Sequence, residues 1–129
     1  KEFNVLVGKF VSTLGDRVTE VKESKVLKGS PIRLVNPADA VNTETHRIQR
    51  LLNEDYEIPK KIVEINRNHP LIIDLAHLAE AKPDATVVDL SIEQLYDSAL
   101  MQEGLLPNPA DMLPRIQQLI EIAVKDESA

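Results

Sequence analysis

Three histidines, at positions 46, 69 and 77, are the first residues in this chain that could do chemistry. Asp74, His77 and Glu80 follow one another at i, i+3 spacing, which gathers them on one face of a helix. A small-molecule or enzymatic site would have to use that trio. His69 does not add to it, because eight residues of helix separate it from His77 by about 12 Å, too far to share one ion. Asp74 and His77 alone make a partial site or, more simply, a surface pair. His46 sits on a polar helix face and reads as solvated.

Other chemistries find less support. The carboxylate pairs Glu54-Asp55 and Asp126-Glu127 fall in loop or tail, with no neighbour to raise a pKa for acid catalysis. Gly8, Gly15, Gly29 and Gly104 are scattered, so there is no phosphate loop, and no serine occupies a nucleophile elbow. The chain has no cysteine, which removes thiolate nucleophiles, thiolate zinc sites and disulfides together. The expectation is a chain that is not an enzyme, with no cofactor and no metal of its own.

Composition narrows the partners. With 21 acidic and 15 basic residues the net charge is −6, which repels phosphate backbones and argues against nucleic acid. No apolar run approaches the roughly 18 residues of a membrane span. Aromatics are only 3% of the 129 residues, so the core must be aliphatic. The start shows no secretory pattern and no initiator methionine. The chain is expected to be a piece of something longer, opening part-way through a helix.

The elements that must position these residues follow from hydrophobic period. Phe3, Leu6, Val7, Phe10, Val11 and Leu14 mark a helix over 1–14, stopped by Gly15. Alternation predicts strands over 17–24, 32–35 and 62–65, and Lys61 to Ile65 places Val63 and Ile65 on one side with Glu64 on the other. Between the first and last of these strands comes a helix over 43–53, with a thin stripe of Val41, Ile48, Leu51 and Leu52. The polar run Asn66-Arg67-Asn68-His69 precedes a helix through Leu71, Leu75, Leu78 and Ala79, with Asn68 as its cap and Pro70 in its first turn. Val87 to Glu103 carries Val88, Ile92, Leu95, Tyr96, Ala99 and Leu100 on one face, with Leu90 and Met101 as a second edge. A last helix, capped at Asp111 so that Pro114 falls in its first turn, carries Met112, Leu113, Ile116, Leu119, Ile120, Ala123 and Val124. Residues 125–129 are expected to fray. This is one α+β domain: a small sheet of about three strands covered by helices, with an α/β part over 17–81 and a helical hairpin over 87–124.

Both members of that hairpin are apolar over more than one stripe. Either both faces cover their own sheet, or one meets a copy of itself in an intermolecular four-helix bundle. The pattern alone leaves the two open.

Longer motifs decide more. KKIVEINRNHPLI resembles the Glu-Ile-Asn-Pro-x-His-Pro-Leu segment in the C-terminal domain of the heat shock protein 90 chaperones, with Arg67 where that family usually has Pro. LGDRVTEVKESKVLKGSPIRLV resembles the same domain's strand pair, and THRIQRLL its Met-x-Arg-Ile-Met-Lys helix. LYDSALMQEGLLPNP and RIQQLI are similar to its closing hairpin. The resemblance runs in order through almost the whole chain. The Lys-Asp-Glu-Ser-Ala ending has neither a cochaperone-docking tail nor a retention signal, which points to the bacterial high-temperature protein G type and a cytoplasmic address, with the mitochondrial relative as the alternative.

The resemblance implies a module that holds two protomers of an ATP-dependent, stress-response chaperone together and offers part of the surface for unfolded clients. ATP and magnesium would belong to an N-terminal domain outside these residues. The implied dimer interface is Ala99, Leu100, Met101, Leu113, Ile116, Leu119, Ile120 and Ala123. The implied client contacts are Val41, Thr45, Ile48, Gln49, Leu52 and Tyr56, with Thr45 and Gln49 standing where the family has methionines. Leu51 or Leu52 is expected to anchor that helix. A free-standing homodimeric adaptor is the other reading.

Overall fold

The computed structural model describes residues 1–26, 28–37, 43–52 and 57–128. The first helix, α1 (Glu2–Leu14), buries Phe3, Leu6, Phe10 and Leu14. Val11 is half in water, so the buried stripe is narrower than the sequence suggests. Gly15 has φ 59°, and its N–H returns to the Val11 carbonyl. That left-handed backbone needs no side chain to be strained into it. A 3₁₀ turn over Gly15–Arg17 then feeds the first strand.

Among the described residues the sheet has three strands: β1 (Val18–Glu23), β2 (Ile32–Val35) and β3 (Lys61–Ile65). Their order is β1-β3-β2, so the last strand in sequence is the central one. It runs parallel to β1, pairing Val21 with Val63 and Glu23 with Ile65, and antiparallel to β2, pairing Leu34 with Val63 and Ile32 with Ile65. Strands β1 and β2 therefore flank β3 rather than pairing with each other. On one face Lys61, Val63 and Ile65 are all buried. On the other, Arg33 and Glu64 are direct cross-strand neighbours, joined at 2.7 Å.

Between β2 and β3 lies α2 (Thr43–Leu52). After β3 comes the polar run singled out above, and each of its residues has a structural task. Asn66 Nδ2 donates to the Ser30 carbonyl, and Asn66 Oδ1 accepts from the Asn68 N–H. Arg67 bonds Glu23 and lies over the Phe3 ring at 4.7 Å. His69, not Asn68, caps α3 (Pro70–Ala81): its Nδ1 accepts from the Leu71 N–H at 3.1 Å. The run is a turn. Helix α3 buries Ile72, Leu75, Ala76 and Ala79 against α1, leaving Leu71 exposed instead of inward.

Helix α4 (Thr86–Gln102) buries Val88, Ile92, Tyr96, Ala99 and Leu100 under α1 and β2. Gly104 ends it at φ 73°, and Leu105 and Leu106 return to the core. A 3₁₀ turn, Pro109–Met112, precedes α5 (Leu113–Ser128). Asp111 belongs to that turn, where it accepts from Asn108 Nδ2, and is not the cap of α5. Pro114 is nonetheless in the first turn of α5, where its missing N–H costs nothing. The helix continues to Ser128, into the segment expected to fray. Among the described residues no helix is long and apolar enough to cross a membrane. The architecture is α+β, with a mixed three-stranded sheet and five α-helices among the described residues.

Candidate interaction surface

Helix α5 repeats apolar residues at 113, 116, 119, 120, 123 and 124, a helical stripe that ought to be covered. Its own chain does not cover it: no residue of α5 is fully buried. Leu113 is 62% exposed, and Ile120, Ala123 and Val124 also face water. Leu119 is half-buried, and Ile116 leans on the core. Met101, at the end of α4, extends the exposed surface.

The rotation of α5 is set by one cation. Arg115 Nη1 donates to Gln94 Oε1 at 3.0 Å and Nη2 to Asp97 Oδ2 at 2.9 Å. Both carriers are on α4, and Gln94 also donates to the sulfur of buried Met112. With Arg115 turned toward α4, Leu113, Ile120 and Val124 must point away from it. The platform beneath is stiff. Arg17 holds Glu93 through two bonds of 2.7 and 2.8 Å, and its guanidinium lies 5.5 Å from the centre of the Tyr96 ring. The hydrogen bonds that Arg17 donates to the Glu93 carboxylate push its pKa further above its usual value. Burial pushes the Tyr96 phenol up to about 12.

Of the residues expected at a dimer interface, Met101, Leu113, Ile116, Leu119, Ile120 and Ala123 lie on or beside this stripe. Ala99 and Leu100 do not: both are inside the core of their own chain. Helix α4 spends one face on its own sheet, and a side chain there cannot also meet a partner.

The second surface is α2. Ile48 is exposed, Leu51 is 78% and Leu52 81% exposed, Gln49 faces water and Thr45 is half-buried. Neither Leu51 nor Leu52 anchors the helix. Its anchor is polar: Arg47 Nε donates to the main-chain carbonyl of Glu103 and Nη1 pairs with Glu44 at 3.2 Å. Val41 and Tyr56, also expected at this surface, lie outside the described residues, as does the side chain of His46.

The trio that could have made a catalytic or metal site is dispersed. His77 Nδ1 pairs with Glu2 Oε2 at 2.8 Å, Glu80 lies 3.8 Å from the Lys1 ammonium, and Asp74 is in solvent. Among the described residues no three His, Asp or Glu side chains converge to hold a metal.

One group escaped the sequence reading. Lys61 is completely buried; its ammonium donates to Asn36 Oδ1 at 2.5 Å and stands 3.6 Å from Glu103 Oε1. The signal was present in the strand period, since the alternation that puts Val63 and Ile65 inward puts Lys61 there too.

Comparison with known proteins now bears on these surfaces. The family model for Hsp90 protein matches residues 1–129. The chain is 38% identical over 124 residues to the chaperone protein HtpG of Chlorobaculum tepidum, covering 93% of this chain and 20% of that one. It is 35% identical over 123 residues to HtpG of Oleidesulfovibrio alaskensis, covering 95% and 19% respectively. A mitochondrial homolog of TNF receptor-associated protein 1 from Dictyostelium discoideum is 33% identical over 118 residues, 87% of this chain and 16% of that one. The chain belongs to the Hsp90 family. It spans about a fifth of the length of the HtpG relatives it matches.

Proposed function

We infer that this chain is the C-terminal dimerisation domain of a bacterial, cytoplasmic Hsp90-family chaperone and carries part of its client-binding surface. The observation that supports this best is the outward stripe of α5. A helix held by Arg115 yet burying none of its own aliphatics leaves surface that a second copy can cover. Two such hairpins, related by a two-fold axis, make a four-helix bundle through Leu113, Ile116, Leu119, Ile120 and Ala123, with Met101 at its edge. The contact would exceed ~1,000 Å² in total. Nucleotide turnover, with ATP and magnesium, would belong to the rest of the longer protein.

Clients would meet α2, whose Ile48 and Leu52 are aliphatic surface without a cover, with Thr45 and Gln49 between them. Each aliphatic contributes at most ~1.5–3 kcal/mol when fully buried, so binding there is weak and shape-tolerant. Substituting Ile120→Asp tests the dimer reading. A carboxylate buried without a partner costs ~3–5 kcal/mol, which should convert the chain to folded monomers at micromolar concentration. Retention of a dimer mass in that variant would move the interface off α5.

A further inference from the structure

The parallel strands β1 and β3 end side by side, and their exits enclose a cavity of 310 Å³. A crevice beyond the carboxyl ends of parallel strands is where ligands of α/β sheets settle, because the chain turns away there. Lys25, Val26 and Lys28 line it from the β1 side, and Asn66, Arg67 and Asn68 from the β3 side. None of its lining residues belongs to α2 or α5. Its two walls are tied together. The Ser24 N–H donates to the Ile65 carbonyl at 2.8 Å, and the Asn66 N–H to the Pro31 carbonyl at 2.8 Å. Asn66 Nδ2 adds its bond to the Ser30 carbonyl. Walls held in place beforehand lose less order when something binds.

The charge of this cavity opposes that of the whole chain. Lys25, Lys28 and Arg67 bring three cations against the one lining carboxylate of Glu23, in a chain of net charge −6. Glu23 is already paired with Arg67 at 3.3 Å. Among the described residues the Lys25 and Lys28 ammonium groups have no ion-pair partner, and both side chains are exposed. Cations gathered in one crevice raise the local concentration of anions. Val26 adds an aliphatic patch beside them, 64% exposed.

We propose that this cavity binds an acidic peptide segment of another protein, with carboxylates on Lys25, Lys28 and Arg67 and an aliphatic side chain on Val26. A lone oxyanion is better held by buried donors that converge on it. Here the cations stand in solvent on two loops, and an extended chain can reach both. The proposal does not rest on the dimer or on client binding at α2.

Fluorescence anisotropy of this chain with the labelled peptide Glu-Asp-Glu-Leu-Glu-Asp-Glu tests it at low salt. That peptide should bind, and its counterpart with Gln and Asn for Glu and Asp should not. Lys25→Glu with Lys28→Glu should weaken binding about tenfold, the sum of several modest exposed pairs. Lys60→Glu with Lys82→Glu changes the net charge equally, but at the far ends of β3 and α3. It should alter affinity less than about twofold, because salt screens distant charges. Glu23→Gln releases Arg67 and should tighten binding. Equal weakening by the two double variants overturns the site, since net charge alone would then explain the binding. Failure of the acidic peptide to bind overturns it as well. So does displacement of the peptide by inorganic phosphate beyond that by chloride at equal ionic strength, which would mark a small-oxyanion site.

Discussion

Helices α2 and α5 both leave aliphatic side chains in water, but they are seated by opposite means. Helix α5 follows a buried methionine, leans Ile116 on the core and is locked to α4 by the fork of Arg115. Helix α2 has Arg47 on one carbonyl, and its leucines point outward. A face presented by a rigid element can match one partner closely, as an obligate interface requires. A face on a weakly held element can adapt to many shapes at low affinity each. On the function proposed above, the contrast fits a specific contact on α5 and a promiscuous one on α2.

The sharpest way to break that contrast is to put the same charge on each helix. Ile116→Asp removes a side chain that supports both the chain's own core and the proposed bundle. It should split the dimer and lower folding stability by ~2–4 kcal/mol, read by denaturant unfolding. Ile48→Asp should leave mass unchanged and stability within ~0.5 kcal/mol, as expected of an exposed site. Equal effects would erase the distinction.

Next in size is the platform under α5. The Tyr96 phenol is pushed up to about 12 from an ordinary value of 10.0. An acid with a raised pKa stays neutral in the fold while the unfolded chain ionises. Its contribution is therefore complete below pH 10 and lost as pH rises toward 12. The loss should be on the order of 2 kcal/mol, at ~1.36 kcal/mol for each pKa unit. Alkaline melts should show it in this chain and not in Tyr96→Phe.

The smallest effect concerns clients. In the longer chaperone that the proposed function implies, Thr45→Met with Gln49→Met should strengthen holdase activity on an unfolded protein, because flexible thioethers repack against varied surfaces. Val41→Asn with Ile48→Asn should weaken it by less than ~3 kcal/mol while the domain stays folded. Unfolding by the Asn pair would show instead that these side chains are core.

Much of this contrast was legible before any coordinates, wherever the signal was local. The stripe of α1, the alternation of β3, Gly15, Gly104 and the first-turn position of Pro114 all express rules spanning a few residues. What was missed depends on distant partners. The central place of β3 rests on pairings far apart in sequence. Leu51 and Leu52 read as anchors because aliphatics in a helix usually face inward, yet here the inward group is Arg47 and its acceptor is Glu103, 56 residues away. Lys61 opens a strand, where lysine ordinarily meets water; Asn36 and Glu103 help make its burial tolerable. Ala99 and Leu100 fell on the wrong side of α4 because its apolar surface is broad, although they continue the spacing of Val88, Ile92 and Tyr96.

The central claim is that α5 meets a second copy of itself. Sedimentation equilibrium of the unaltered chain at micromolar concentration measures this directly. The account predicts a species of twice the 14.4 kDa of one chain. A mass of 14.4 kDa across that range, in a folded sample, would contradict it.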